Sequence, residues 1–412
     1  MNRTDVLAAL LLSAALVLAV GSLTNELDIH RFAWDHNFYI QMAENGFARN
    51  DALLAHYAYR PLAPLIVRAI SATTGLDTVT GFTLVAYVGA ASQLFCVVWF
   101  CRALGFRLAH SLIIMTAVAF SFHNLKFLLF DVCRPDHLAF PLLIVAALAL
   151  WQRRVLLLLT VTVVGLQTRE FLIIPAAVYL MQTCVAAWRE RAPRNLWPAA
   201  AAAIVLAAAV VVPRWLIPVV GSVQLVDPWG NPRWLTNLID TPLNTRRNLN
   251  IAFVTAAYFF PLTLLATSAR VRTVMEATRP VRGALVAYTA AVLLFTLYGG
   301  TDLARFVAYL VVPQIVLLGQ VLRLGVRPVE TAYMLAATLV FNRIPWDVPM
   351  SDLDAYLDFC GGYGGRINAT TYWRIAEHAA YLCGALLLRL GICPIAGSVA
   401  GPQRPRETGT PE

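Results

Sequence analysis

Apolar runs of roughly 15 to 22 residues recur from end to end of the chain, close to the ~20 that carry a helix across a bilayer. They fall near 6–23, 79–101, 108–122, 137–151, 155–166, 171–187, 198–219, 251–268, 284–300, 304–322, 329–341 and 373–391. No alternating ten-residue pattern of an outer-membrane barrel interrupts them, so the pattern predicts an all-α membrane protein of about twelve transmembrane helices. The runs at 155–166 and 329–341 are short for a bilayer, which admits a broken or re-entrant helix at either place. The first run follows Arg3 and ends in AVGSL, and can also be read as a secretory signal; its apolar core exceeds the usual ~7–15 residues of one. Either reading sets Thr24 onward outside the cytoplasm.

Composition agrees with the pattern. Of 412 residues 59% are hydrophobic and 13% charged, against about 25% charged in soluble domains, and the mean hydropathy is +0.66. The formal net charge of +9 is spread in short arginine groups between apolar runs rather than gathered in one basic domain, which argues against nucleic acid and for the positive-inside rule. Arg102 with Arg107, Arg153 with Arg154, WRERAPR (188–194), RVRTVMEATRPVR (270–282) and RLGVR (323–327) all fall on the side of the N-terminus. Both termini are therefore expected in the cytoplasm. The long hydrophilic segments, 24–78, 123–136, 221–250 and 342–372, are expected outside together with most of the acidic residues. Residues 1–393 read as a single polytopic domain without internal repeats, and 394–412, rich in Pro, Gly and polar residues, as a disordered cytoplasmic tail. The seven cysteines lie mostly inside apolar runs without metal-ligand spacing. Cys133 and Cys360 fall in expected external loops, where a disulfide between them is open.

The first external segment carries the densest chemistry. In WDHNFYIQMAENGF (34–47), Trp34, Phe38 and Met42 recur at i, i+4 and i+8, flanked by Tyr39, Ala43 and Phe47, and Gly46 supplies a C-terminal signal. This predicts a short amphipathic helix on the membrane surface. Asp35 stands at its N-cap position, where a carboxylate accepts from free backbone N–H groups, and His36 follows it. The return, YAYRPLAPLIVRAIS, brings Arg60 to the same surface.

An acid just after the first transmembrane helix, an amphipathic juxtamembrane helix and an aromatic, Arg/Pro-rich return resemble the GT-C superfamily of membrane glycosyltransferases. The resemblance covers roughly the first 80 residues in pattern. It continues more loosely through DVCRPDHLAFP (131–141, Arg134 and Asp136), QTREFLIIP (167–175, Arg169 and Glu170) and GGTDLARFVAYLVVP (299–313, Asp302 and Arg305). It implies a polyprenyl-phosphate sugar donor, a glycan, lipid or protein acceptor, and catalysis by the acid of the first external loop, here Asp35. The chemistry accounts for these residue types independently. A carboxylate within reach of the acceptor hydroxyl serves as general base, and guanidinium groups stabilise the phosphate that leaves; Arg60, Arg169 and Arg305 are the candidates, with His36, Arg134, Asp136, Glu170 and Asp302 in support. Each arginine also has a bland reading, as a snorkelling or paired charge, since Arg169 adjoins Glu170 and Arg305 follows Asp302 by three residues.

Weaker signals lie elsewhere. Asp-x-Asp in SDLDAYLDF (351–359) suits a solvated helix face. His36, His123 and His137 show no paired spacing, so a metal is unsupported and no cofactor is required by the sequence. Lys126, the only lysine, is expected at headgroups or a phosphate, and Arg233, Arg246 and Arg247 at lipid headgroups or a donor phosphate, with Trp229 and Trp234 as interfacial residues. A secondary transporter also buries such charges, but the long external excursion after the first run and the lack of related halves count against it. A lipid-linked glycan ligase or polymerase would place its main loop late, as 221–250 permits, and a non-catalytic scaffold on the same fold stays open. The abundance of Arg and Ala over Lys is compatible with a GC-rich bacterial genome, from which a bacterial inner membrane, with the periplasm on the external side, is expected.

Overall fold

Each of the twelve apolar runs becomes helix, and all regular structure among the described residues is helical. The computed structural model describes residues 1–28, 35–47, 55–191, 196–217, 238, 240–266, 268–298, 303–345 and 369–391. Helix α1 spans Arg3–Ser22, capped by Asn2, whose side chain accepts from the Asp5 N–H. Helices α2 (His36–Asn45), α3 (Ala55–Ala58) and α4 (Leu62–Thr74) form the first external segment. They lead into α5 (Thr78–Ala103), which starts at an Asp77 cap. Next come α6 (Leu108–Ala119), a π turn at Phe122–Lys126, and α7 (Phe127–Phe130). Helices α8 (Asp136–Trp151) and α9 (Val155–Leu166) precede a 3₁₀ turn at Glu170–Leu172, which opens α10 (Ile173–Arg189). Then follow α11 (Trp197–Leu216), α12 (Thr245–Tyr258), α13 (Phe260–Leu265), α14 (Ser268–Ala277) and α15 (Arg282–Tyr298). Helices α16 (Leu303–Val307), α17 (Val311–Arg323), α18 (Pro328–Phe341) and α19 (Ala369–Arg389) complete the chain.

Proline decides where two of the predicted spans break. Pro313 cannot donate to the Tyr309 carbonyl, and the chain crosses Ala308–Leu310 as a 3₁₀ turn between α16 and α17. The carbonyls loosened there find outside donors: Tyr258 donates to Ala308 O at 3.1 Å and Tyr288 to Tyr309 O at 2.9 Å. Pro261 similarly divides α12 from α13, and Gln314 Nε2 donates to Tyr258 O at 3.1 Å. Both breaks lie in the interior, where buried side chains satisfy the Ala308, Tyr309 and Tyr258 carbonyls.

Length and composition qualify fewer spans than the twelve expected. Five helical stretches, 3–22, 78–103, 170–189, 197–216 and 303–323, are long and apolar enough to cross a membrane, and seven if two bent pairs each count as one. Helices α8, α9 and α18 have 16, 12 and 14 residues, about 24, 18 and 21 Å at ~1.5 Å per residue, under the ~30 Å of a hydrocarbon layer. The stretch 303–323 is central, 83% buried, whereas α11 is peripheral at 17%. Trp197 and Trp215 stand exposed near the two ends of α11, about 27 Å apart at the helical rise, the placement expected of interfacial aromatic residues.

The core is built on α5, which packs against α1, α4, α6 and α8. Gly89 permits the closest approach: a Cβ there would lie 2.6 Å from the His137 carbonyl oxygen of α8. The two ends of the bundle gather different loops. At one end Arg102 pairs with Asp5 at 3.0 Å, and Glu330 meets Arg270 at 3.4 Å, Arg327 at 3.7 Å and Arg389 at 3.8 Å. The start of α8, the junction of α9 with α10, and the start of α16 meet at the other.

Candidate functional site

Asp35 does not cap α2. Its backbone is helical, φ −49° and ψ −31°, and its side chain makes no capping hydrogen bond. An N-cap needs extended dihedrals to swing its carboxylate back over the first turn, and here the carboxylate points away from it. Its Oδ1 accepts from the Tyr57 hydroxyl at 2.7 Å, and its Oδ2 lies 4.0 Å from Arg305 Nη1. Burial raises the pKa of this carboxyl. Arg134, the Tyr57 hydrogen bond, Arg305 and Arg169 together outweigh that effect and hold it below the usual carboxylate range. Burial first, and then the neighbouring Asp35, push the Tyr57 phenol well up. The group is therefore an anion at neutral pH, with a tyrosine hydroxyl fixed as its donor.

Helix α2 packs its apolar face on α4 and α5. Tyr39, Met42 and Ala43 are buried with Val67, Phe82, Val85 and Ala86 of α4 and α5, while Phe38 stacks on Tyr57 at 4.6 Å. Gly46 ends the helix with φ +75°, the conformation that glycine favours. Trp34 lies outside the described residues. Arg60, at the turn into α4, donates through Nε and Nη2 to Glu170, at 3.1 Å for the shortest contacts, and through Nη1 to the Tyr39 hydroxyl at 3.3 Å.

The sequence-adjacent pair Arg169 and Glu170 does not neutralise itself. Arg169 is extended, φ −152° and ψ 143°, so the two side chains diverge. Arg169 forks onto Asp136, Nε to Oδ1 at 3.1 Å and Nη2 to Oδ2 at 2.5 Å, and Tyr309 donates to the same Oδ1 at 3.0 Å. Glu170 turns the other way to Arg60. Arg134 pairs with Asp131 and lies 5.1 Å from the Phe127 ring centroid. Arg305, 7% exposed, completes the group beside Asp35.

Seven of the nine predicted site residues thus share one end of the bundle in linked pairs: Asp35, Arg60, Arg134, Asp136, Arg169, Glu170 and Arg305. His36 is fully buried at the start of α2, and Asp302 lies outside the described residues. Tyr57, Asp131 and Tyr309 were not among the predicted residues. Their signals were present in the quoted motifs: a hydroxyl three residues before Arg60, an acid three before Arg134, and a tyrosine four after Arg305, all spacings that keep side chains together on a turn or helix.

Two residues expected at a phosphate or at headgroups donate to backbone carbonyls. Lys126 is buried, and its Nζ donates to the Arg343 and Ile344 carbonyls at 2.5 and 3.3 Å, beyond the end of α18. Arg247 donates to the Thr296 and Leu297 carbonyls at 3.0 and 2.8 Å, a cation at the C-terminus of α15. Cys133 is buried. Residues 351–359, Trp229, Arg233, Trp234, Cys360 and the tail from 394 lie outside the described residues. Among the described residues no group of three or more His, Cys, Asp or Glu side chains is arranged to hold a metal ion.

Fold and site define an all-helical protein with helices of membrane-crossing length and a buried network of ion pairs at one end. No protein-family model matches the chain, and no curated protein sequence matches it.

Proposed function

We propose that the chain is an integral membrane glycosyltransferase of the GT-C kind, taking a monosaccharide from a polyprenyl-phosphate donor at the external face of a bacterial inner membrane. The observation that carries the reading is Asp35: its carboxylate makes no capping bond, accepts from the Tyr57 hydroxyl at 2.7 Å and stands 4.0 Å from Arg305. In the proposed reaction the acceptor hydroxyl oxygen attacks the anomeric carbon, its proton passes to Asp35, and the bond from that carbon to the phosphate oxygen breaks with inversion. The phosphate leaves with the bonding electron pair. A general base of this kind contributes typically ~10²–10⁴-fold.

The guanidinium groups divide between two tasks in this reading. Arg305, beside Asp35, and Arg60, whose partner Glu170 keeps a 41% exposed side chain, meet the phosphate. Arg169, held by Asp136 at full burial, positions the floor of the site. A second reading, a secondary transporter, draws on the Asp136–Arg169 pair, since intramembrane charges also mark transport pathways.

Reconstitution separates the two. Purified protein in liposomes with radiolabelled polyprenyl-phosphate sugars should move label from the lipid to an acceptor fraction. Uptake of labelled soluble substrate into the lumen, without loss of label from the lipid, would favour the transporter.

A further inference from the structure

A cavity of about 1190 Å³ lies at the opposite end of the bundle from the ion-pair site, between the C-terminal halves of α8 and α10 and the start of α15. Its depth is apolar, reaching Phe100, Tyr179, Tyr288 and Val316. Its volume exceeds the ~300–1,000 Å³ typical of small-molecule sites. Arg153, Arg189 and Glu190 stand at its rim. Both arginines are exposed, and neither has a carboxylate within ion-pair distance among the described residues. Arg153 is held there by a left-handed backbone, φ +55°, a conformation non-glycine residues seldom adopt. Trp151, 41% exposed, lines the mouth as interfacial aromatics do.

We propose that this groove binds one anionic phospholipid, its acyl chains against the apolar walls and its phosphate between Arg153 and Arg189. Charge complementarity selects the occupant: a groove of hydrocarbon depth with two cations and one carboxylate at its mouth fits an anionic headgroup, and basic pockets between spans are built for such lipids. The mouth is one helix away from the ion-pair site. The 17 residues of α10 separate Arg169 from Arg189 by about 25 Å, so a phosphate at the rim is distinct from one near Asp35. The proposal does not rest on glycosyl transfer, and either can fail alone.

Native mass spectrometry of the full chain, delipidated and offered phosphatidylglycerol or phosphatidylcholine with identical acyl chains, tests it. One phosphatidylglycerol should be retained with about tenfold or greater preference, in line with two arginines at a lipid surface. The preference should fall as salt rises and disappear in Arg153→Gln/Arg189→Gln. Ala284→Trp, which fills the groove, should lose both lipids alike. Equal retention of the two lipids by the unaltered chain, no retained lipid, a dimer in place of a lipid adduct, or a preference that survives the double substitution would each overturn the proposal. The salt series on the unaltered chain decides the matter if the double variant does not fold.

Discussion

At the scale of residues, Asp35 stands between burial, which favours its neutral form, and three arginines with one tyrosine hydroxyl, which favour the anion. The anion prevails, so Asp35 stays ionised across the neutral range, and any loss of its basic form falls below the ordinary aspartate value of about 3.9. The sign for stability follows: the folded-state value is depressed, so the stabilisation is present above about pH 3.9 and is lost as pH falls through the folded value. Tyr57→Phe removes the hydrogen bond at 2.7 Å and leaves burial less opposed. The acid limb of kcat/KM should then move to higher pH while the chain stays folded, at a stability loss of about 1 kcal/mol; an unmoved limb would separate Tyr57 from the titration of Asp35. A pH–rate profile of the unaltered chain beside Tyr57→Phe reads this directly. Glu170→Gln keeps the size of the side chain but removes the charge facing Arg60. It should lower KM for the lipid-phosphate donor several-fold if Arg60 meets the phosphate, whereas a merely structural pair predicts an unchanged or raised KM.

At the scale of elements, the site depends on how closely α5 and α8 approach and on how α9 hands over to α10. Gly89→Ala places a Cβ against the His137 carbonyl and should cost roughly 1–3 kcal/mol by overpacking, seen as a lower thermal midpoint in detergent. The Asp136–Arg169 pair is buried on both sides. Arg169→Met alone strands a buried carboxylate and should cost roughly 3–5 kcal/mol, whereas Asp136→Leu with Arg169→Met should recover most of that; equal losses in the two variants would contradict the pairing. The helices themselves were legible because long apolar runs fix helix existence, but the break at 308–310 was not foreseen: the run 304–322 reads as one span, and breaks were admitted at 155–166 and 329–341 instead. The pairing was not legible. Arg169 and Glu170 suggest mutual neutralisation as neighbours, and only the extended backbone at Arg169, set by the junction of two helices, sends them to partners 33 and 110 residues away. The Asp35 cap failed for a related reason: residue type marks an N-cap, but the helical dihedrals at Asp35 deny it that role, and its carboxylate accepts instead from Tyr57, 22 residues away.

At the scale of the whole molecule, the arginine groups and the acidic segments assign loops to opposite sides, and the structure gathers the same loops at opposite ends: Asp5 with Arg102 and Glu330 with three arginines at one, the Asp35 site at the other. Single cysteines introduced into a cysteine-free chain at Glu44 and at Arg327 should therefore label from opposite faces of intact vesicles with a membrane-impermeant maleimide. Labelling of both from one face would break the topology. The span count was less legible than the helices, because α8, α9 and α18 are apolar yet too short to cross a hydrocarbon layer alone. The most direct test of the account is Asp35→Asn in a reconstituted transfer assay. Asparagine keeps an oxygen for the Tyr57 hydroxyl but cannot take up the acceptor proton. The account predicts that transfer from a polyprenyl-phosphate sugar falls by about 10²-fold or more, with the thermal midpoint nearly unchanged and donor binding retained. Transfer at the unaltered rate in that variant would contradict it.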